Sequence, residues 1–510
     1  MSLARLQSRA PDGLDAPPVS VEIHLSGGLP SFTIVGLPEA AVRESRERVR
    51  SALINSGFDF PARRITANLA PADIPKQGGR FDLPIALGIL AASGQIKPVA
   101  TDLPGEYLGE LGLGGELRSV TGVLPSVLAA KALNHTVMLP EANCAEASLV
   151  EGASLLATQT LIQAAAHLSG SAAITEKTGG QSSPQPQHQY AELDLGDVCG
   201  QSFGVRSLEI AAAGGHSLMM VGPPGCGKTM LAERLAGILP DMSPSEALAT
   251  AAVYSVSHLG FDRRHWQRRP FRAPHHSASA AALVGGGPRV APGEISLAHN
   301  GVLFLDELTE FSRHVLDQLR EPLESGSITL ARAERTVRYP SRFQWVSAMN
   351  PCACGYNGDR SGRCSCTSEQ VRRYQARLSG PLIDRVDLHV RLQSVDPTAL
   401  QADKSPSQSS ADVKRRVHSA RERQLARSGR INACLTQKEL GRAAKLDSAS
   451  QRFLEAAVRQ LGLSLRGHYR ILKVARTIAD LEETETLGEE HLAEALQYRA
   501  TVRLNPGSPN

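Results

Sequence analysis

Aromatic residues are scarce in this chain of 510 residues: two Trp, eight Tyr and eleven Phe make up 4% of it. Its cores must therefore be aliphatic, built on Leu, Val, Ile and Ala. Long hydrophobic runs are missing as well. The longest, Leu83–Ala92, carries Pro84 and is half of the roughly 20 residues needed to cross a bilayer, so no membrane partner is expected. The opening MSLARLQSRAPDGLDAPP has no apolar stretch of the kind a secretory signal requires. Cysteine is thin at eight residues, which excludes a disulfide scaffold and makes a reducing cytoplasm the expected location. Charge is nearly balanced, with 55 basic and 51 acidic residues and a net +4. That permits an anionic partner and does not demand one.

What is present suffices for ordinary globular domains. The chain is 42% hydrophobic and 21% charged, and at about 150 residues per domain it holds roughly three. Residues 1–168 read as α/β text. VSVEIHLSGGLPSFTIVGLP gives two short strands around a Gly-Gly turn. Val42–Ser56 has helical spacing, with Val42, Val49, Leu53 and Ile54 on one face. Residues 169–189, rich in Gly, Ser, Pro and Gln, read as an exposed linker. Residues 190–400 read as a nucleotide-binding α/β domain, 401–410 as a second linker, and 411–510 as a helical domain with Ser464 as an N-cap.

The strongest motif is Gly222, Pro223, Pro224, Gly225, Cys226, Gly227, Lys228 and Thr229, a full G-x4-G-K-[ST]. It follows the apolar run Leu218–Val221 and precedes helix-like text, the strand–loop–helix setting that cradles phosphates. The glycines let backbone N–H groups turn onto phosphate oxygens, and the helix N-terminus adds its dipole. Lys228 would reach the β- and γ-phosphates of ATP, and the Thr229 hydroxyl would ligate Mg²⁺. Cys226 fills a free position as a small side chain. Further on, Gly301–Leu305 forms a buried strand that ends in Asp306 and Glu307. At the carboxyl edge of a parallel sheet, Asp306 would complete the Mg²⁺ shell and Glu307 would polarise the attacking water. A third strand, Phe343–Met349, ends in Asn350, whose amide beside the γ-phosphate can orient that water or report on hydrolysis.

Directly after it, Cys352, Cys354, Cys364 and Cys366 are spaced C-x-C-x9-C-x-C around a polar, Gly-rich loop. Four thiolates suit one tetrahedral, structural Zn²⁺; reduced thiols in a loop are the alternative. His275 and His276 read as polar packing or a substrate contact. Arg263, Arg264, Arg268, Arg269 and Arg272 surround Trp266 and Phe271, a basic run with aromatics that could stack on bases. Ile328–Tyr339 reads as a hairpin carrying Arg332, Arg335 and Arg338, which could meet phosphates. The basic run Lys414–Arg430 reads as a solvated helix face.

These three nucleotide motifs in this order resemble the AAA+ ATPases. The phrases PFRAPHHSASAAALVGGG, PGEISLAHNGVLFLDELTEF, REPLESGSITLARA, AMNPCACG, SGPLIDRVDLHV and RILKVARTIADL resemble the magnesium-chelatase-like branch called the YifB/ComM family. The resemblance runs from about Val19 to Val502. It implies an AAA+ P-loop core with a Lon-protease-like N-terminal α/β domain and a C-terminal helical lid. It also implies a hexameric ring and a helicase acting by branch migration on single-stranded or branched DNA in natural transformation. On this match Arg385 is an arginine finger serving the neighbouring subunit, and Arg466 is a second sensor, with Arg470 its rival one turn later. Proteolysis in the N-terminal domain would need a serine beside Lys76. The turn reads Gly78-Gly-Arg-Phe-Asp82 and has none, so that domain is expected to be noncatalytic. The alternatives are an ATP-driven chelatase-like or protein-remodelling machine without DNA activity, and a regulatory protease, which the missing serine disfavours.

Overall fold

The computed structural model describes residues 2–37, 39–97, 105–180, 193–287, 290–332, 335–359, 362–394 and 408–500. It is mixed α/β in the first two regions and helical in the third. Among the described residues no helix is long and apolar enough to cross a membrane.

The first region is built on strands β1 (Leu3–Arg9), β2 (Pro18–Ser26), β3 (Ser31–Val35), β4 (Arg64–Ala70), β5 (Glu106–Tyr107), β6 (Val137–Pro140), β7 (Ser154–Thr158) and β8 (Lys177–Thr178). They form one sheet in the order β8-β7-β6-β5-β1-β2-β4-β3. The two strands read around the Gly-Gly turn exist, but they are not neighbours. β4 lies between them, antiparallel to β2 and parallel to β3. β1 pairs with β2 from Leu3↔His24 to Arg9↔Pro18, and sequence reasoning passed over it. Helix α1 (Ala40–Asn55) buries Val42, Val49 and Leu53 but leaves Ile54 51% exposed. Helix α2 (Asp82–Ser93) carries the long apolar run. It is buried almost throughout and crosses the sheet so closely that a Cβ at Gly88 would meet Ile23 at 2.5 Å. The expected linker 169–189 begins later than its composition suggests. Lys177 and Thr178 pair with Leu155 and Ser154, because backbone pairing needs no apolar side chain; residues 181–189 lie outside the described residues, as do 401–407 of the second linker.

The second region holds a five-stranded parallel sheet of β9 (Leu218–Val221), β10 (Phe271–Arg272), β11 (Val302–Leu305), β14 (Gln344–Met349) and β15 (Leu388–Arg391), in the order β10-β11-β14-β9-β15. Between β11 and β14 comes a separate hairpin, β12 (Ser327–Arg332) with β13 (Arg335–Pro340). Helices α5 (Ser202–Gly214) and α6 (Lys228–Ile238) pack with β9, β14 and β15 in a continuous aliphatic core. That core extends into the third region, α9 (Ser410–Ser428), α10 (Gln437–Ala443), α11 (Ser448–Leu461), α12 (Leu465–Leu481) and α13 (Glu489–Ala500). Ser464 caps α12, its hydroxyl accepting from Gly467 N–H at 3.1 Å.

The basic run of α9 is solvated only in part: Arg415 is 77% exposed, but three of its arginines reach inward. Arg416 pairs with Glu209 at 2.5 Å, Arg421 donates twice to the Ala212 carbonyl at 2.9 and 2.7 Å, and Arg427 pairs with Asp480 at 2.7 Å. These arginines fasten the helical region to α5 and α12.

The first two regions also interlock. Helix α3 (Val123–Ala132) packs on α7 (Pro244–Val256), where Gly122 N–H donates to Ser255 O at 2.7 Å. Trp266, 8% exposed, fills the same apolar cluster as Leu124, Val127, Met242 and Ala251. Phe271 stacks on Phe304 in the sheet, Arg269 donates to the carbonyls of Pro240 and Asn300, and Arg272 pairs with Glu294 at 2.6 Å. Trp266 is thus a structural side chain packed inside, while Phe271 is partly buried against Phe304 and two of the arginines, Arg269 and Arg272, are engaged within the protein. The hairpin is tied down too. Arg335 pairs with Asp12 and donates to Pro11 O at 2.9 Å, Val337 and Tyr339 are buried, and Tyr339 O–H donates to Val290 O at 2.9 Å. Arg335 is therefore engaged with the N-terminal region, not open to phosphates. The Arg332 side chain lies outside the described residues.

Candidate active site

Parallel strands bring the nucleotide motifs to one edge. The loop Gly222–Gly227 leaves the carboxyl end of β9, Asp306 and Glu307 leave β11, and Asn350 leaves β14. Gly222 N–H donates to Met349 O at 3.2 Å, and Gln201 Nε2 donates to Cys226 O at 3.0 Å, so strand and helix both fix the loop. Gly225 and Gly227 have φ of +76° and +90°, and a Cβ at either would meet nothing within 4 Å. The positive φ at these two positions favours glycine and leaves the surface of the loop open beside them. Cys226 is buried beneath it, and desolvation raises its thiol pKa, which keeps it a neutral packing group.

Lys228 Nζ donates to Gly222 O at 2.8 Å, Pro223 O at 3.0 Å and Asn350 Oδ1 at 3.1 Å. Thr229 Oγ1 donates to Asp306 Oδ2 at 2.8 Å. A hydroxyl and a carboxylate in contact form an oxygen donor pair of the kind Mg²⁺ takes. Glu307 adopts φ +50° at the strand end and is half exposed, and His276 Nδ1 lies 3.0 Å from its Oε2. Sequence reasoning did not pair these two; the parallel pairing of β10 with β11, which sets their following turns side by side, creates the contact.

Arg385 and Arg466 are elsewhere. Arg385 and Asp387 precede β15, whose Leu388 pairs with Leu218 at the start of β9. They therefore sit at the amino edge, and the phosphate-loop motif sits at the carboxyl edge. A cleft of about 390 Å³ there is lined by Arg385, Arg466, Arg470, Lys473, Glu324 and Asp387 among others. Arg385 is 14% exposed, pairs with Glu324 and donates to Pro381 O at 2.7 Å, while its Nε is buried without a partner among the described residues. Arg470, the rival sensor, is bound to Asp387. Burial would raise the Asp387 carboxyl, but the charges of Arg470 and His216 hold it well below the usual carboxylate range.

The four cysteines converge. Their sulfurs all lie within 4.8 Å of one another, with Cys352–Cys354 at 3.3 Å, Cys352–Cys364 at 3.8 Å and Cys354–Cys364 at 3.6 Å. Metal–sulfur bonds of about 2.3 Å in a tetrahedron put neighbouring sulfurs about 3.8 Å apart, so the set fits one zinc ion. Backbone N–H groups of Tyr356 and Ser365 bring the Cys354 thiol down to about 6. The Cys364 thiol receives a backbone N–H from Cys366, but desolvation and the adjoining sulfurs push it up to about 11. The Cys354 thiolate forms readily, while the adjoining sulfurs hold Cys364 and Cys366 toward the neutral thiol.

In the N-terminal region Lys76 is buried and donates to Pro71 O, and the turn Gly78–Asp82 offers no hydroxyl.

Three family models match in succession: "Subunit ChlI of Mg-chelatase" over residues 21–143, "Magnesium chelatase, subunit ChlI" over 194–400, and "Magnesium chelatase, subunit ChlI C-terminal" over 407–499. The chain is 50% identical over 506 residues to "Competence protein ComM" of Haemophilus influenzae, covering 99% of each chain. It is 49% identical over 507 residues to "Uncharacterized protein YifB" of Escherichia coli, covering 99% of this chain and 98% of the relative. It is 26% identical over 223 residues to "Magnesium-chelatase 38 kDa subunit" of Rhodobacter capsulatus, covering 44% of this chain and 57% of that one.

Proposed function

The chain belongs to the YifB/ComM family of magnesium-chelatase-like proteins, and from that premise we propose that it is an ATP-hydrolysing motor that acts on single-stranded or branched DNA in the cytoplasm. The observation that carries the ATPase part is the convergence of Lys228, Thr229, Asp306, Glu307 and Asn350 at one sheet edge. Gly222 to Gly227 cradle the phosphates, and Lys228 neutralises their β and γ oxygens. Thr229 and Asp306 would hold Mg²⁺, which supplies further charge neutralisation when bound. Glu307 takes a proton from the attacking water, and Asn350 aligns that water.

Arg385 and Arg466 act on the neighbouring copy. β9 has four residues, and at about 3.3 Å per residue it spans about 13 Å, so neither arginine serves its own cradle. A homo-oligomeric ring, a hexamer on the family reading, delivers them to the next one. One Zn²⁺ on Cys352, Cys354, Cys364 and Cys366 is part of the proposal as a structural ion. The N-terminal region is proposed as a noncatalytic Lon-protease-like module.

Support for DNA as the substrate is the full-length similarity to a protein named for competence. The second reading, a chelatase-like or protein-remodelling ATPase, is favoured by the internal engagement of Arg269, Arg272 and Arg335. ATP turnover measured with forked or four-way DNA at low salt separates the two. Stimulation, together with ATP-dependent branch migration, is expected; unchanged turnover and no strand exchange would overturn the DNA reading and leave the other standing.

A further inference from the structure

We propose that the four-cysteine loop is a metal-held strap that positions the nucleotide cradle, and that metal occupancy thereby sets ATP affinity. This rests on the zinc and cradle readings above and adds a role for the ion. The argument begins with chain continuity: β14 runs from Met349 into Asn350, Pro351 and Cys352 without a break. Asn350, which accepts from Lys228, is thus two residues from a buried thiol.

The loop then folds back over the phosphate loop. Gly355 has φ +87°, and a Cβ there would lie 2.7 Å from Pro224 Cδ and 2.9 Å from its Cγ, with Asn350 Cγ at 3.8 Å. Backbone this close to Pro224 leaves room for no side chain, so the strap and the cradle are in direct contact. The far end of the loop is anchored elsewhere. Arg391 donates to Asn357 O at 2.9 Å, and Ser394 donates to Asp359 at 2.5 Å.

Cys364 and Cys366 lead straight into helix α8 (Ser368–Gln375), capped by Thr367. That helix returns to the same site. Gln375 donates to Pro351 O at 3.1 Å, and the hydroxyls of Tyr374 and Thr309 meet at 2.5 Å, two residues beyond Glu307. A single ion bound by the four sulfurs would therefore join the stem of Asn350, the roof over Pro224 and the helix that braces the turn after Glu307. The ion would thus add a covalent-strength tie to the hydrogen bonds of Asn357, Asp359 and Pro351 described above.

The experiment uses the full-length chain with three readouts: zinc per chain by metal analysis, dissociation constant for a fluorescent ATP analogue, and thermal unfolding. The double variant C364S/C366S should lose its zinc and bind the analogue about tenfold to a hundredfold more weakly, the cost of displacing positioning groups by about 1 Å. Gly355→Ala is the second arm, because it leaves all four thiols in place. It should keep one zinc per chain and stay folded, losing about 1–2 kcal/mol for a non-glycine residue at positive φ, yet bind the nucleotide more weakly. Parental nucleotide affinity in either variant would overturn the strap, as would a parent chain that binds nucleotide without any zinc. A zinc-loaded parent that bound no nucleotide would overturn the ATPase reading itself, and the strap with it.

Discussion

Arg385→Ala is expected to lower ATP turnover by about 10³ or more, roughly 4 kcal/mol of transition-state stabilisation, while leaving ATP affinity within about twofold. The folded state should tolerate the change. Glu324 is 59% exposed and stays solvated when its partner is lost, which is worth under about 1 kcal/mol for a pair of this kind, and the unpartnered Nε disappears with the side chain. The decisive assay mixes two inactive proteins. Lys228→Ala lacks a working cradle but offers an intact Arg385; Arg385→Ala has the converse defect. When the two are combined in equal amounts under dissociating conditions and allowed to reassemble, one junction in four pairs a sound cradle with a sound arginine, so about a quarter of parental turnover should return if junctions act independently. Turnover that stays at background after verified mixing would refute action between copies. So would an Arg385→Ala protein whose ATP affinity falls as far as its rate.

Glu307→Gln should retain ATP binding and lose turnover by about 10²- to 10⁴-fold, measured by nucleotide titration beside phosphate release; weakened binding of equal size would contradict its role toward water. Trp266→Ala should destabilise the joint between the first two regions by about 3–5 kcal/mol in denaturant unfolding, with DNA affinity of the surviving folded protein unchanged; a selective loss of DNA binding would restore the stacking role rejected above. Acid should destabilise the fold through two buried histidines. Burial lowers His299 to about 4 and His389 to about 3, below the ordinary value near 6.5. The unfolded chain therefore binds these protons first, and the stability they confer, complete above pH 6.5, is lost as pH falls toward 4 and 3. At pH 5 each has cost about 2 kcal/mol relative to neutral pH. Thermal unfolding at pH 5 and 7 checks this, and His299→Gln should flatten the slope.

The nucleotide motifs were legible in the sequence because they are local. A glycine-rich turn between an apolar strand and a helix, an acid pair at a strand end and an Asn at another each declare their chemistry within a few residues. What the sequence hid is long-range. Trp266 and Phe271 look like a stacking surface when read along the chain, but Trp266 faces Leu124 and Val127, more than a hundred residues away, and Phe271 faces Phe304. Arg335 reads as a free cation until Asp12 is brought to it. The arginines of α9 resemble a solvated face because helical periodicity reports which side is apolar, not which carbonyls and carboxylates wait opposite the polar one. Arg466 has a helix cap nearby to mark its position, but only the strand order shows that it lines a cleft with Arg385.

All five strands of the central sheet point the same way. A subunit built on such a sheet is polar, like an arrow, with a receiving end and a giving end that differ chemically. A two-fold pair could match giver to receiver twice over and stop there; copies that instead follow one another in single file, as proposed above, form a file that closes on itself if the turn per copy divides a full circle. A circle of arrows has a sense of rotation, and its two faces are unlike. On the proposed ring, any polymer passing through would meet one face before the other, and the parallel strands put the phosphate cradle on one edge of every copy and the arginine cleft on the opposite edge.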